Sequence, residues 1–154
     1  MMKVLVLGGV AVVLIAVAAA GAAIVLRRDG GSTTGSTSRE LSLQHPFILA
    51  SPPSYLKSPP DITPDAGSVL VSYSGVDEGS PRLTLQEFES PPNFEQLPQR
   101  PALQDRGGGV YYAVWRCQRL AINTIVAWDK VPDAATRDGV LRELEAQMEG
   151  DCLR

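Results

Sequence analysis

Two cysteines and one histidine are the only soft nucleophiles or neutral-pH bases in this 154-residue chain. A Ser-His-Asp or Cys-His mechanism would have to use His45, because histidine is the usual general base near pH 7. His45 directly precedes Pro46, where the chain is expected to be extended and exposed, and no G-x-S-x-G nucleophile turn occurs anywhere. Carboxylates occur as local runs: Asp77 and Glu78 in a turn, Glu143, Glu145 and Glu149 on one helix face, and Glu87 and Glu89 following a strand, where they read as an exposed strand end, the other reading being a groove-facing pair. Glycoside hydrolysis needs two carboxyls facing one another across a cleft, one of them in a setting that raises its pKa. Solvated turn and helix positions do not meet that requirement. The residue types therefore predict no catalytic centre and no cofactor, and the domain is expected not to be an enzyme.

Cys117 and Cys152 admit three pairings: a disulfide, two buried free thiols, or part of a metal site. Two cysteines and one distant histidine do not complete a four-ligand zinc site, and no metal is expected. Cys117 ends a strand on which Tyr111, Ala113 and Trp115 share its face. Cys152 falls four residues beyond Met148 on the apolar stripe of a helix, so the two are expected to meet as a disulfide. The bridge would close a loop of about 35 residues, worth roughly 3 to 4 kcal/mol in the chain-entropy account.

The elements that must position these residues follow from patterning. Eleven of the 12 prolines lie between Pro46 and Pro101, which excludes a long helix there and keeps strands short. HPFILASPPSYLKSPPDITPD reads as an extended lead-in, with Phe47, Ile48, Leu49, Tyr55 and Leu56 laid along a core. SVLVSYS (68–74) and RLTLQEF (82–88) read as a hairpin, the second alternating Leu83 and Leu85 with polar neighbours. Glu89 to Gly109 reads as a long loop, with Gly107, Gly108 and Gly109 as a hinge and no phosphate-loop spacing. VYYAVWRC (110–117) and LAINTIVAW (120–128) read as the strongest strands, being rich in β-branched and aromatic residues. Gln118 and Arg119 are poor residues for a two-residue turn, so a longer turn is expected between them. After Pro132 and Asp133, the residues Val140, Leu141, Leu144 and Met148 recur at helical spacing. The expected fold is α+β, a small antiparallel sheet of about four strands with one face packed by the C-terminal helix.

Tyr111, Tyr112, Trp115 and Trp128 concentrate on two adjacent strands. Tyr112 points away from Tyr111 and Trp115, so one aromatic lies on the face turned from the helix. That face is expected to be covered by the Pro-rich lead-in and the long loop. Its other reading is a ligand surface, for which Tyr112 and Trp128 are the candidate residues.

Val4 to Leu26 is a run of 23 residues with no charge and no hydrogen-bonding side chain. As a helix it would span roughly 34 Å, enough for a hydrocarbon core of about 30 Å. The chain thus divides into a membrane anchor or signal segment (1–28), a Gly/Ser/Thr linker (29–43) and one α+β domain of 111 residues (44–154). The small residues near Ala20 also suit a cleavage site, which would give a secreted form of the same domain. Arg27 and Arg28 after the run favour a cytoplasmic C-terminal domain by charge, whereas the cysteine pair and the shape of the segment favour export, and export is the expectation. From Asp29 onward 17 acidic residues face 11 basic ones. An acidic domain with scattered bases does not suit a nucleic-acid backbone, so no nucleic-acid partner is expected.

The succession PPSYL, VLVSYSG, RLTLQEF, VYYAVWRC, NTIVAW and a short final helix, behind one N-terminal membrane segment, resembles the extracytoplasmic domains of unknown function of Gram-positive single-pass membrane proteins and of some anti-sigma regulators. These are distantly similar to lipoprotein-carrier sheet folds. The resemblance covers about 100 residues, rests on strand patterning, and implies a non-enzymatic binding or sensing domain outside the membrane. With about three residues ahead of the apolar run, no sigma-binding domain is expected on the other side. The expected function is a membrane-tethered extracytoplasmic binding or interaction domain. Its partners are the bilayer through residues 4–26 and a protein at the cell envelope. The alternative is a small envelope hydrolase whose active site the sequence does not display.

Overall fold

The computed structural model describes residues 40–154. The 4–26 run and most of the 29–43 linker lie outside them, and no helix among the described residues is long and apolar enough to cross a membrane. The described chain forms six strands and one helix: β1 (Asp61–Asp65), β2 (Ser68–Tyr73), β3 (Arg82–Glu89), β4 (Gln104–Asp105), β5 (Val110–Cys117), β6 (Leu120–Ala127) and α1 (Ala134–Cys152). All pairings are antiparallel, in the order β1-β2-β3-β6-β5-β4.

The α+β expectation holds, with six strands in place of about four. β1 comes from the end of the lead-in. Pro64, the fourth of its five residues, is tolerated because β1 is an edge strand, where an outward-facing amide has no ladder to join. β4 comes from the expected loop. The three glycines after it are not a hinge: φ values of +84°, +63° and +77° make them a tight left-handed connection between β4 and β5. At Gly109 a side chain would also run into Val131. The β5–β6 turn corrects a second expectation. Cys117 pairs directly with Leu120, so the turn has two residues, and Gln118 adopts φ +51° to close it. Its side-chain Oε1 accepts the Leu41 amide at 2.8 Å, and Leu41 and Leu43 pack on the core. The end of the expected linker is therefore docked on the domain.

Period-two alternation decides which residues are buried. Val69, Val71 and Tyr73 on β2, Leu83 and Leu85 on β3, Ile122, Thr124 and Val126 on β6, and Tyr111, Ala113, Trp115 and Cys117 on β5 share one face. Leu141, Leu144 and Met148 of α1 seal part of that face, as the helical spacing predicted. Asp133 caps α1 by accepting the amides of Ala135 and Thr136, each at 3.0 Å. The helix carboxylates expected in solvent are in part engaged: Glu145 accepts the Leu103 amide at 2.6 Å and Glu149 pairs with Arg100 at 2.8 Å.

The remainder of the inner face is sealed by the lead-in. Phe47, Leu49 and Leu56 are buried, and Phe47 meets Trp115 edge-on with ring centroids 5.7 Å apart. This corrects the expected cover of the opposite face, because the Pro-rich segment lies on the same side of the sheet as the helix. The long loop covers little of that opposite face either. It follows the β5 edge, with Pro98 accepting the Arg116 amide, Phe94 and Glu95 meeting the Arg116 side chain, and Pro98, Ala102 and Arg106 lying by Tyr112 and Val114.

Candidate functional site

The face turned away from the helix is the first candidate. Strand register lays two rows across it: Thr63, Leu70, Gln86, Asn123 and Val114, then Ser72, Thr84, Ile125, Tyr112 and Gln104. None of these ten side chains is charged, in a domain whose remaining surface is rich in Asp, Glu and Arg. Ile125 at its centre is 37% exposed. Charged groups stand at the perimeter: Asp61 beyond Ser72, Arg82 and Arg116 at strand ends, and Arg106, whose guanidinium lies 5.5 Å from the Tyr112 ring centre. Sparse charge at the centre with aromatic and arginine groups at the margin is the composition of protein interfaces.

At one edge this face continues into a small cavity of about 210 Å³, lined by Pro98, Ala102, Gln104, Arg106, Tyr112, Ala113 and Val114. The chain creates it by leaving the sheet. Gln104 pairs with Tyr112, and Pro98 accepts the Arg116 amide, but residues 99–103 bow out past Val114 toward Glu145. A second cavity of about 220 Å³ lies beyond Arg116, against Gln99, Gln118, Cys152 and Leu153.

Of the residues singled out in the sequence, Tyr112 is half-buried on the open face. Trp128 is not on it. It is 4% exposed and packs edge-on against Tyr111, with centroids 5.7 Å apart, so the structure does not bring Tyr112 and Trp128 together. Cys117 and Cys152 form a disulfide with Cα atoms 5.6 Å apart, pinning the end of α1 to β5. His45 is exposed, and its amide donates to the Ser42 carbonyl at 2.8 Å.

The second candidate was missed in the sequence. Glu87, read as part of an exposed strand end, is fully buried near the end of β3. The alternation that buries Leu83 and Leu85 puts Glu87 on the same face, a parity that identifies it without a structure. Its Oε2 accepts the Phe47 amide at 3.1 Å, while Oε1 has no hydrogen-bond partner. Burial pushes its pKa from the ordinary carboxyl range up to about 8, against the lesser opposing pull of the Phe47 amide. Two other acidic groups hold the same segment. The Tyr73 hydroxyl accepts the Leu49 amide at 2.9 Å and is pushed up to about 12, chiefly by burial; Asp151 Oδ2 accepts the Ala50 amide at 2.9 Å. Tyr55 on the same lead-in is raised by burial and then by the charge of Glu143. Glu87 lines neither of these cavities and is fully buried. Among the described residues no cluster of His, Cys, Asp and Glu could hold a metal ion.

No family model, curated protein or solved structure matches the chain.

Proposed function

We propose that this protein is a membrane-tethered, extracytoplasmic interaction domain that binds a protein partner through the open face of its sheet and performs no chemistry itself. The observation that carries the reading is the uncharged ten-residue face centred on Thr84, Gln86, Asn123 and Ile125, left open by a helix and lead-in that both pack on the other side. The disulfide supports an oxidising compartment, since such bonds persist mainly outside the cytosol. The 23-residue apolar run supports anchoring of the chain in a bilayer. The perturbed carboxyl that a hydrolase would need is present as Glu87, but it is sealed beneath Phe47 and does not favour that reading.

The test is a photo-crosslinking amino acid placed at Ile125 in the full chain, in its native membrane, with Arg142 on the exposed side of α1 as the control position. A discrete protein adduct at 125 and none at 142 is expected. Equal labelling at both positions, or none at 125, contradicts the proposal. A C-terminal reporter active only outside the cytoplasm checks export independently.

A further inference from the structure

The segment that joins the tether to the domain is held in an unusual way. Residues 46–50 lie on the inner face as an extended strap, yet the amides of Phe47, Leu49 and Ala50 pair with no strand. They are bound by three acidic side chains from three elements: Glu87 of β3, Tyr73 of β2 and Asp151 of α1. Glu87 Oε1 beneath the strap is buried with no hydrogen-bond partner, whereas Asp151 Oδ1, also buried, has the Arg154 guanidinium 3.6 Å away. We propose that this strap is a proton-operated latch: it is closed while Glu87 carries a proton and loosens when Glu87 ionises, releasing residues 46–50 from the sheet.

The physical basis is the cost of an unsatisfied buried charge. A protonated Glu87 is tolerated in an apolar setting with one acceptor oxygen on Phe47. An ionised one presents a second oxygen that nothing solvates, and water reaches it only if Phe47 lifts. The titratable groups around it are the Tyr73 hydroxyl from β2, which feels the charges of both Glu87 and Asp151, and Asp151 of α1, which holds the Ala50 amide of the strap; the exposed His45 precedes Phe47 by two residues. Among the described residues no cation forms an ion pair with Glu87; the Arg154 guanidinium lies 3.6 Å from Asp151 Oδ1 instead. Tyr73 titrates far above the relevant range.

The sign follows from linkage. Glu87 binds its proton more tightly with the strap closed, to about pH 8, than it would in water, where its value is 4.5. Closure is therefore complete below pH 4.5 and weakens as pH rises through 8, by up to about tenfold per pH unit in that interval. With Leu41 still held by Gln118 on the upstream side, release of residues 46–50 opens a loop over the inner face. The latch does not depend on which partner the open face binds.

Residue-resolved amide hydrogen exchange on the full chain in detergent micelles, from pH 5 to 8, tests the latch. After correction for intrinsic exchange, the protection of Phe47 and Leu49 is expected to fall up to tenfold per pH unit. It should stay at least about tenfold below that of Ile122 and Thr124 in β6. Glu87→Gln keeps an acceptor for Phe47 but cannot ionise, and should flatten the profile. Tyr73→Phe should lower Leu49 protection at every pH without changing the slope, and His45→Gln should leave the slope intact. The latch is overturned by a flat wild-type profile, by a slope that survives Glu87→Gln or disappears in His45→Gln, or by strap and β6 amides with equal protection, which would mean that the strap opens only with the whole fold.

Discussion

The two faces of this sheet are built from the same strands and differ in nearly every physical respect. The inner face is apolar, sealed by α1 on one side and the lead-in strap on the other; the Trp115 Nε1 donates to Thr124 Oγ1 at 2.9 Å, which in turn lies 3.8 Å from the Met148 sulfur, whereas Glu87 Oε1 is buried without a hydrogen-bond partner. The outer face carries Ser, Thr, Gln and Asn interspersed with Leu70, Ile125, Val114 and Tyr112, half-buried for the most part, with Ile125 exposed. A single period-two pattern produces both. The difference places the domain's stability on one side of the sheet, and the proposed partner surface lies on the other.

The largest expected effect is on the sealed side. Trp115→Ala removes the ring that touches Phe47 and bonds Thr124, and should cost about 3 to 5 kcal/mol in chemical denaturation. A loss below about 1 kcal/mol would mean that the inner face is not the core. Slightly smaller is the pH effect. With its folded pKa raised from 4.5 to about 8, Glu87 contributes stability that is full below pH 4.5 and lost as pH rises through 8, about 3 to 4 kcal/mol of it between pH 5 and 8. Unfolding midpoints measured at pH 5 and 8 should differ in the wild type and converge in Glu87→Gln. Replacing both Cys117 and Cys152 by Ala should cost about 3 to 4 kcal/mol, and intact protein assayed without reductant should show no titratable thiol. At the small end, Ile125→Ser on the open face should shift stability by no more than about 0.5 kcal/mol. A loss near that of Trp115→Ala would show that this face too is load-carrying and erase the contrast.

Much of the inner face was legible from the residues. Leu83 and Leu85 alternating with polar neighbours, the Leu141, Leu144 and Met148 stripe, and the parity that put Cys117 beside Trp115 all follow from strand and helix periods, which depend only on local geometry. The open face was half legible: Tyr112 was correctly turned from the helix, but its cover was misassigned. Where a proline-rich segment docks is decided by long-range contacts such as Phe47 with Trp115 and Leu49 with Tyr73, which no local pattern encodes. Gln118 misled for a related reason. A left-handed glutamine is unfavourable locally, and the adjoining ladder together with the Leu41 contact outweighs that cost. Glu87 was passed over because a charged residue near a strand end is ordinarily solvated, although its parity with Leu83 and Leu85 marked it as inward-facing. Trp128 lies just past the end of β6, where strand parity no longer determines which way a side chain points.

The most direct measurement of the division between the two faces is a paired one on the double variant Thr84→Lys/Ile125→Lys, which puts two charges at the centre of the open face. Its thermal midpoint and the yield of crosslinked partner from a photo-reactive group at Tyr112 are read in the same preparation. The expected result is a midpoint within a few degrees of wild type with the crosslink reduced at least about tenfold. An unchanged crosslink, with the fold intact, would contradict the assignment of the open face as the binding surface.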